Sequence, residues 1–198
     1  TKLTLASLKT YINDYNALKD TSYTYQDKPK LKSRLGVFGG FTNSPFVENP
    51  ENKSVPFLGA EFEIFEEKNM PRHAGSFSIR HALEHSDFEY SATQLALGYR
   101  YRFINKSNFN IYANVKFATY TFSSTTVAIE DAANPGTFRT EDVNDSGFDA
   151  PFIFGLGADI KVGSKSYVTI AYHEIVSVFL DQNDNFPIDF AVGYKINL

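Results

Sequence analysis

Residues 94–103 have the sequence Gln-Leu-Ala-Leu-Gly-Tyr-Arg-Tyr-Arg-Phe, in which a large apolar side chain follows every polar or small one. Successive side chains of a β-strand point to opposite faces, so one face would collect all the large apolar residues. These are Leu95, Leu97, Tyr99, Tyr101 and Phe103. The other face would carry Arg100 and Arg102 between small side chains. This stretch therefore predicts a strand with one apolar and one charged face.

The same period of two recurs along the chain from Leu31 to its end. Seven further runs show it: residues 35–41, 58–64, 76–83, 109–118, 152–161, 168–173 and 188–198. A tilted strand of about 9–11 residues crosses a bilayer, and an even strand number is typical of bacterial single-chain barrels. The sequence predicts an all-β fold over residues 31–198, an eight-stranded antiparallel up-and-down transmembrane β-barrel.

Alternation alone allows either a soluble barrel with an apolar interior or a membrane barrel with an apolar exterior. An eight-stranded barrel is only just wide enough for its interior to be filled by side chains. The chain has 19 Phe and 12 Tyr, and its apolar faces are too bulky for that volume. The opposite faces contain glycines at positions 59, 98, 155, 157 and 193. The apolar face is therefore predicted to point outward.

Charged residues of both signs lie on the predicted interior face. Because each buried charge needs a partner, we expect an internal network of ion pairs. Its predicted members are Glu61, Glu63, Arg80, Arg100, Arg102, Lys116, Asp159, Lys161, Asp189 and Lys195. Side chains that fill eight strands leave no open aqueous channel, so a general porin is not expected.

The first 30 residues differ from the rest and predict a separate region. Apolar residues recur at helical spacing in Leu5, Leu8, Ile12, Tyr15 and Leu18, which indicates a short amphipathic helix. Residues 21–30 are polar, contain Pro29 and predict a linker. The helix is expected to lie on a membrane surface, to dock on a partner or to belong to an upstream domain. The start at Thr1 suggests a mature or trimmed chain.

The connections between the predicted strands alternate in length. Residues 66–72, 105–108 and 163–165 form short links at one rim, whereas residues 42–55 and 123–148 are long links at the other. The links near Ser86 and Asp184 are compact. Membrane barrels have short periplasmic turns and longer external loops, so both chain ends are predicted to be periplasmic. The alternation within residues 125–129 and 137–143 predicts a hairpin that extends the fifth and sixth strands.

Two runs carry a resemblance to a known family. Residues 35–41, Leu-Gly-Val-Phe-Gly-Gly-Phe, are typical of the first strand of small bacterial outer-membrane β-barrel proteins, and residues 194–198 resemble their terminal strand. The order of helix, linker and barrel is similar to that of barrels from Bacteroidota. The resemblance implies a bacterial outer-membrane location and contact with lipid and lipopolysaccharide. The closed interior and the lack of a coherent catalytic set predict a non-enzymatic structural or accessory role, as a subunit of a larger complex with outer-membrane or periplasmic proteins.

Two alternatives stay open. The chain resembles lipid A palmitoyltransferases in having a helix before eight strands, which would make it a lipid A-modifying enzyme. Its candidate residues are His173, Glu174 and Ser177, or His81, His85 and Ser86. A regular strand would place His173 and Glu174 on opposite faces, which argues against the first set. The weaker alternative is a soluble lipocalin-like carrier.

No cofactor or metal is predicted. The four histidines, at positions 73, 81, 85 and 173, are scattered and do not form a zinc motif. The acidic residues of the long loop match no calcium motif and are interpreted as solvated. They are Glu130, Asp131, Glu141, Asp142, Asp145 and Asp149. The absence of cysteine excludes disulfides, and the net charge of −4 argues against nucleic acid as a partner.

Overall fold

The structure is a computed structural model that describes residues 5–23, 30–44, 52–83, 90–130, 136–177 and 187–198. The chain divides into two units, Thr1–Lys30 and Leu31–Leu198. Several predicted connections lie partly or wholly outside the described residues, among them the compact links near Ser86 and Asp184 and part of the link 42–55. Each unit is described by itself.

The first unit contains one helix, α1, over Leu5–Lys19. It confirms the predicted helix, and Tyr11 and Leu18 are the most exposed of its apolar side chains. Its end is marked by Asp20, whose carboxylate accepts hydrogen bonds from the backbone N–H and the hydroxyl of Ser22 at 2.9 and 2.6 Å. Among the described residues, no helix is long and apolar enough to cross a membrane.

Within its described residues, the second unit contains nine antiparallel strands. They are β1 (Leu31–Thr42), β2 (Val55–Glu66), β3 (His73–Ala82), β4 (Tyr90–Asn105), β5 (Phe109–Glu130), β6 (Phe138–Asp149), β7 (Ile153–Lys161), β8 (Ser166–Ser177) and β9 (Asp189–Asn197). Each of the eight predicted alternating runs overlaps one of these strands. The alternation predicts them because the pleat of a strand imposes the same period on every sequence that buries one face.

Pairing between β1 and β9 closes the sheet into a barrel. Residues 109–116 of β5 pair with β7, and residues 119–130 pair with β6. Strand β6 is therefore an extension rather than a barrel strand. The closed barrel therefore has eight strands, as predicted. Both Leu31 and Asn197 lie at the rim of the short turns, which we call the turn rim, and the opposite end is called the hairpin rim. The turn rim contains tight turns, since Lys106 N–H donates to Phe109 O at 3.0 Å and Val162 N–H donates to Ser166 O at 3.0 Å.

The two faces of the barrel have opposite chemistry. Large apolar side chains cover the outside, where Val37 is 59% exposed and Leu58 is 59% exposed. Charged side chains fill the inside, where Glu63 is 1% exposed and Asp159 is 0% exposed. The interior is narrow, since a Cβ on Gly157 would lie 2.4 Å from the ring of Tyr112. The outward apolar face that the sequence predicts is confirmed.

The strands β5 and β6 form a hairpin that projects past the hairpin rim. Residues 119–130 pair with residues 138–149 without a break, which confirms the predicted hairpin. Tyr120 lies opposite Phe148 and packs edge-on against Phe122, with ring centroids 4.8 Å apart. Between β6 and β7 the chain turns at Phe152, which has a φ of 46°. The hairpin is thus a continuation of the barrel wall with an aromatic group at its base.

Candidate functional site: the charged barrel interior

Seven charged side chains form one cluster in the half of the barrel nearer the turn rim. We call it the turn-side cluster, and its members are Arg34, Glu61, Glu63, Arg100, Arg102, Asp159 and Lys195. They come from β1, β2, β4, β7 and β9, because inward positions on these strands meet across a narrow lumen. All seven are buried. The cluster therefore ties five of the eight barrel strands together through their side chains.

Two carboxylates of β2 organise this cluster. Glu63 contacts Arg100 and Arg102 directly and lies 3.7 Å from Arg34. Glu61 binds Arg100 through both oxygens, with Nη2 at 2.7 Å and Nη1 at 2.9 Å. Bidentate pairs of this kind are the strongest hydrogen-bonded ion pairs in proteins. The two carboxylates thus hold three guanidinium groups in the middle of the lumen.

The cluster continues across the lumen to β7 and β9. Lys195 Nζ lies 3.2 Å from Glu61 and 3.1 Å from Asp159. Arg34 lies 3.4 Å from Asp159 and donates from Nε to Asn197 Oδ1 at 2.7 Å. Each of these carboxylates therefore contacts cations from other strands, which is how buried charges offset the loss of water.

Aromatic rings cover the faces of the cations. The ring of Tyr112 lies 4.1 Å from the guanidinium of Arg100 and 5.1 Å from Lys195 Nζ. Arg34 lies between Phe65 and Tyr167, at 4.8 and 4.5 Å. Cation–π contacts of this kind stabilise a cation that has lost its water. These inward aromatic rings therefore pack directly against the buried cations.

A second group of charges lies nearer the hairpin rim. We call it the hairpin-side cluster, and its members are Arg80, Lys116, Glu174 and Asp189. Arg80 pairs with Asp189 at 2.7 Å and lies over the ring of Phe57 at 3.8 Å. Asp189 also accepts a hydrogen bond from Thr42 Oγ1 at 3.2 Å. The contacts of Asp189 join β1, β3 and β9 near the hairpin rim, and Lys116 and Glu174 lie on β5 and β8.

One predicted member of the network lies outside it, and others were missed. Lys161 is exposed at the end of β7, so its inclusion was wrong. Its position in the alternation is that of an inward residue, but it lies at the turn rim where the barrel wall ends. Arg34 and Glu174 are buried and were not predicted as members. The alternation of β1 could have indicated Arg34. This residue directly precedes the outward-facing Leu35, so its side chain is expected to point inward.

A bulge in β8 explains why Glu174 was missed. Residues 173–175 face Gly155 alone, so the alternation of β8 is broken there. His173 enters the interior, with its ring 5.3 Å from that of Phe38, and Glu174 is buried as well. The expectation that these two side chains occupy opposite faces assumed an unbroken strand and is wrong.

The other candidate residues do not assemble into a catalytic or metal site within the described ranges. His81 is exposed and its Nδ1 is 2.9 Å from the hydroxyl of Thr93, whereas His85 and Ser86 lie outside the described residues. The hairpin carboxylate of Asp142 accepts a hydrogen bond from Thr126 at 2.8 Å. Asp131 is not described. In the described part of the chain, no three His, Cys, Asp or Glu side chains come together as a metal site would require.

A closed antiparallel barrel with an apolar exterior and a charged interior has the architecture of transmembrane β-barrels of the outer-membrane type. The chain is a membrane β-barrel of this class.

The solved structures that are similar to it include the following three. The N-terminal β-barrel domain of OprF from Pseudomonas aeruginosa is 10% identical, with 86% of this chain and 100% of that chain covered and a TM-score of 0.48. Neisserial surface protein A (NspA) is 8% identical, with 84% and 96% covered and a TM-score of 0.46. The attachment invasion locus protein Ail of Yersinia pestis is 9% identical, with 86% and 99% covered and a TM-score of 0.47. No protein-family model and no curated protein matches the sequence. The resemblance to barrels from Bacteroidota stays a prediction.

Proposed function

We propose that the chain is a non-enzymatic barrel of the bacterial outer membrane with a structural or accessory role, as a subunit of a larger outer-membrane assembly. The observation that carries this proposal is the turn-side cluster, which links five strands across the lumen. A polar solute could pass only by separating several buried ion pairs at once. Separating a buried pair costs several kcal/mol because each charge is left without compensation. The barrel would then act through its surfaces.

The interior does not favour enzymatic activity either. A catalytic base must reach the substrate and needs an orienting group behind it. His173 lies inside the barrel beside Phe38, away from the lipid that a lipid A-modifying enzyme would act on. His81 lies outside, but its described hydrogen-bond partner is the hydroxyl of Thr93 rather than an acid. These placements support a role without catalysis.

The hairpin of β5 and β6 offers a surface for assembly. Every residue of β6 is exposed, and in the described part of the chain β6 pairs with β5 alone. An open strand edge is a common site for the addition of a strand from another chain. We place the external partner of the assembly here, and outer-membrane lipid and lipopolysaccharide around the apolar wall. Both chain ends are proposed to be periplasmic, and periplasmic proteins or the membrane surface are proposed as the partners of α1.

The first test is conductance. The purified barrel is expected to give no steady current in a planar bilayer, because the turn-side cluster fills the lumen. A double variant that truncates both side chains of the Glu63–Arg102 pair, Glu63→Ser with Arg102→Ser, also removes the contacts of Glu63 with Arg100 and Arg34. It is expected to give an intermittent leak, which would show that the assay detects opening. A steady unitary conductance from the unmodified barrel would contradict the occluded interior.

The second test concerns the assembly. Ser123 and Asp145 lie directly opposite each other, so residues 124–144 can be replaced by Asn-Gly, which forms a two-residue hairpin turn. The shortened barrel is expected to fold as before and to lose the chains that co-purify with the full-length barrel in mild detergent. Equal co-purification by both forms would contradict the hairpin as the docking surface. A changed lipid A mass profile in cells lacking the protein would support the enzymatic alternative instead.

A further inference from the structure

An internal cavity of about 20 Å³ lies between the turn-side and hairpin-side clusters. It has room for one or two water-sized particles. Three cationic side chains line it, Arg80, Arg100 and Lys116, together with hydroxyl and amide groups such as those of Ser76 and Gln94. One carboxylate, that of Glu61, is also part of the lining. The cavity is thus small and surrounded mainly by positive charge.

Lys116 differs from the other buried cations in its surroundings. Each of the other five has a carboxylate within 4.0 Å, whereas among the described residues no ion pair is formed by Lys116. Lys116 is nevertheless buried, with only 8% of its surface exposed, and it lines the cavity. Its side chain therefore lines the cavity without a described carboxylate at ion-pair distance.

A second group points to the same place. His173 lines the cavity, and its Nε2 is buried without a hydrogen-bond partner among the described residues. The carboxylate of Glu61 contacts Arg100 and Lys195 at 2.7 and 3.2 Å, and no described hydrogen bond joins it to Lys116 or His173. An unsatisfied buried polar group is costly. A ligand that accepts hydrogen bonds from both Lys116 and His173 would satisfy the histidine nitrogen and pair with the ammonium charge.

The net charge of the interior is an independent reason to expect an anion in the cavity. The buried charged side chains that the structure describes comprise six cations and five anions, with histidine counted as neutral. An uncompensated charge inside a membrane-spanning structure is strongly unfavourable. A monovalent anion would balance it, whereas water would not.

We propose that this cavity binds a small monovalent anion such as chloride, held by Lys116 Nζ and His173 Nε2 with Arg80 and Arg100 nearby. The anion is a fixed part of the folded barrel. It is not conducted, since the turn-side cluster closes the lumen below it. A site of this size excludes organic anions such as gluconate.

Bromide provides a direct test, because it replaces chloride and scatters anomalously. Crystals of the unmodified barrel grown in sodium bromide are expected to show an anomalous peak in the cavity, within hydrogen-bond distance of Lys116 Nζ. A cavity that contains water alone in these crystals would overturn the proposal. Peaks confined to the exposed surface would do the same.

A stability measurement tests the site in solution. At constant ionic strength, replacing gluconate by roughly 300 mM chloride is expected to raise the unfolding midpoint of the barrel in detergent by several degrees, as a ligand specific for the folded state does. Lys116→Met is expected to abolish this chloride dependence. Lys161→Met removes an exposed lysine at the turn rim and is expected to retain it. The proposal fails if both variants respond to chloride as the unmodified barrel does. Far-UV circular dichroism in each medium verifies that both variants fold.

Discussion

Replacing Glu63 with Gln is expected to destabilise the barrel by about 3–5 kcal/mol, the range for removing one partner from a buried ion pair. Glu63 contacts Arg100 and Arg102 and is 3.7 Å from Arg34, so its loss leaves three guanidinium groups with one carboxylate fewer. Gln preserves the shape of the side chain, which means that the change is mainly one of charge. Because the barrel cannot expel these arginines into lipid, the cost falls on the folded state.

Urea unfolding in detergent, followed by far-UV circular dichroism and by the mobility of the folded band on unheated gels, measures this loss. Glu141→Gln is the matched control, because Glu141 is exposed on the hairpin and its ion pair with Arg139 is 3.6 Å long. Exposed pairs contribute little, so the control is expected to unfold like the unmodified protein. Equal stability of the two variants would mean that Glu63 is not central to the interior.

Replacing Gly40 with Ala is expected to prevent closure of the barrel. A Cβ at this position would lie 1.8 Å from the carbonyl oxygen of Phe190 and 2.9 Å from the Cα of Ala191. Both are backbone atoms of β9, so no side-chain rotation relieves the clash and the two strands must separate. We expect a loss of more than about 4 kcal/mol, which is at the extreme of single substitutions.

The folded fraction after insertion into lipid vesicles, read from the gel mobility shift, is the measurement for this variant. Gly75→Ala is the control, since a Cβ at Gly75 has nothing within 4 Å. It should fold as fully as the unmodified chain. If Gly40→Ala folds equally well, β1 and β9 do not approach as closely as the structure shows.

The strands were predictable because alternation is a direct consequence of strand geometry. It gives the face of each side chain and, from the bulk of the apolar face, which side is outside. It does not show how far along the barrel axis a residue lies. Lys161 therefore fits the inward face of the pattern, although it lies at the turn rim, beyond the buried interior. It also fails where a strand bulges, as at His173 and Glu174, since a bulge depends on how Gly155 meets the neighbouring strand.

The partners inside the lumen could not be predicted for a different reason. Arg34 meets Asp159 and Asn197, which lie 125 and 163 positions away in sequence. No local pattern indicates contacts over such distances, because they exist only once the sheet has curved and closed. Sequence reasoning could name charged residues that need partners, but the closed barrel decides which pairs form.

The pairing of the first barrel strand with the last has a consequence for the order of folding. Contacts between residues that are far apart in sequence form slowly, because a long loop must be closed before they stabilise anything. Asp159, Asp189 and Lys195 belong to the last third of the chain, and they supply partners for arginines on β1 and β3 and for a glutamate on β2. The earlier strands therefore cannot enter lipid alone with their charges compensated. We expect the barrel to insert as one cooperative unit, only after its final strand is available.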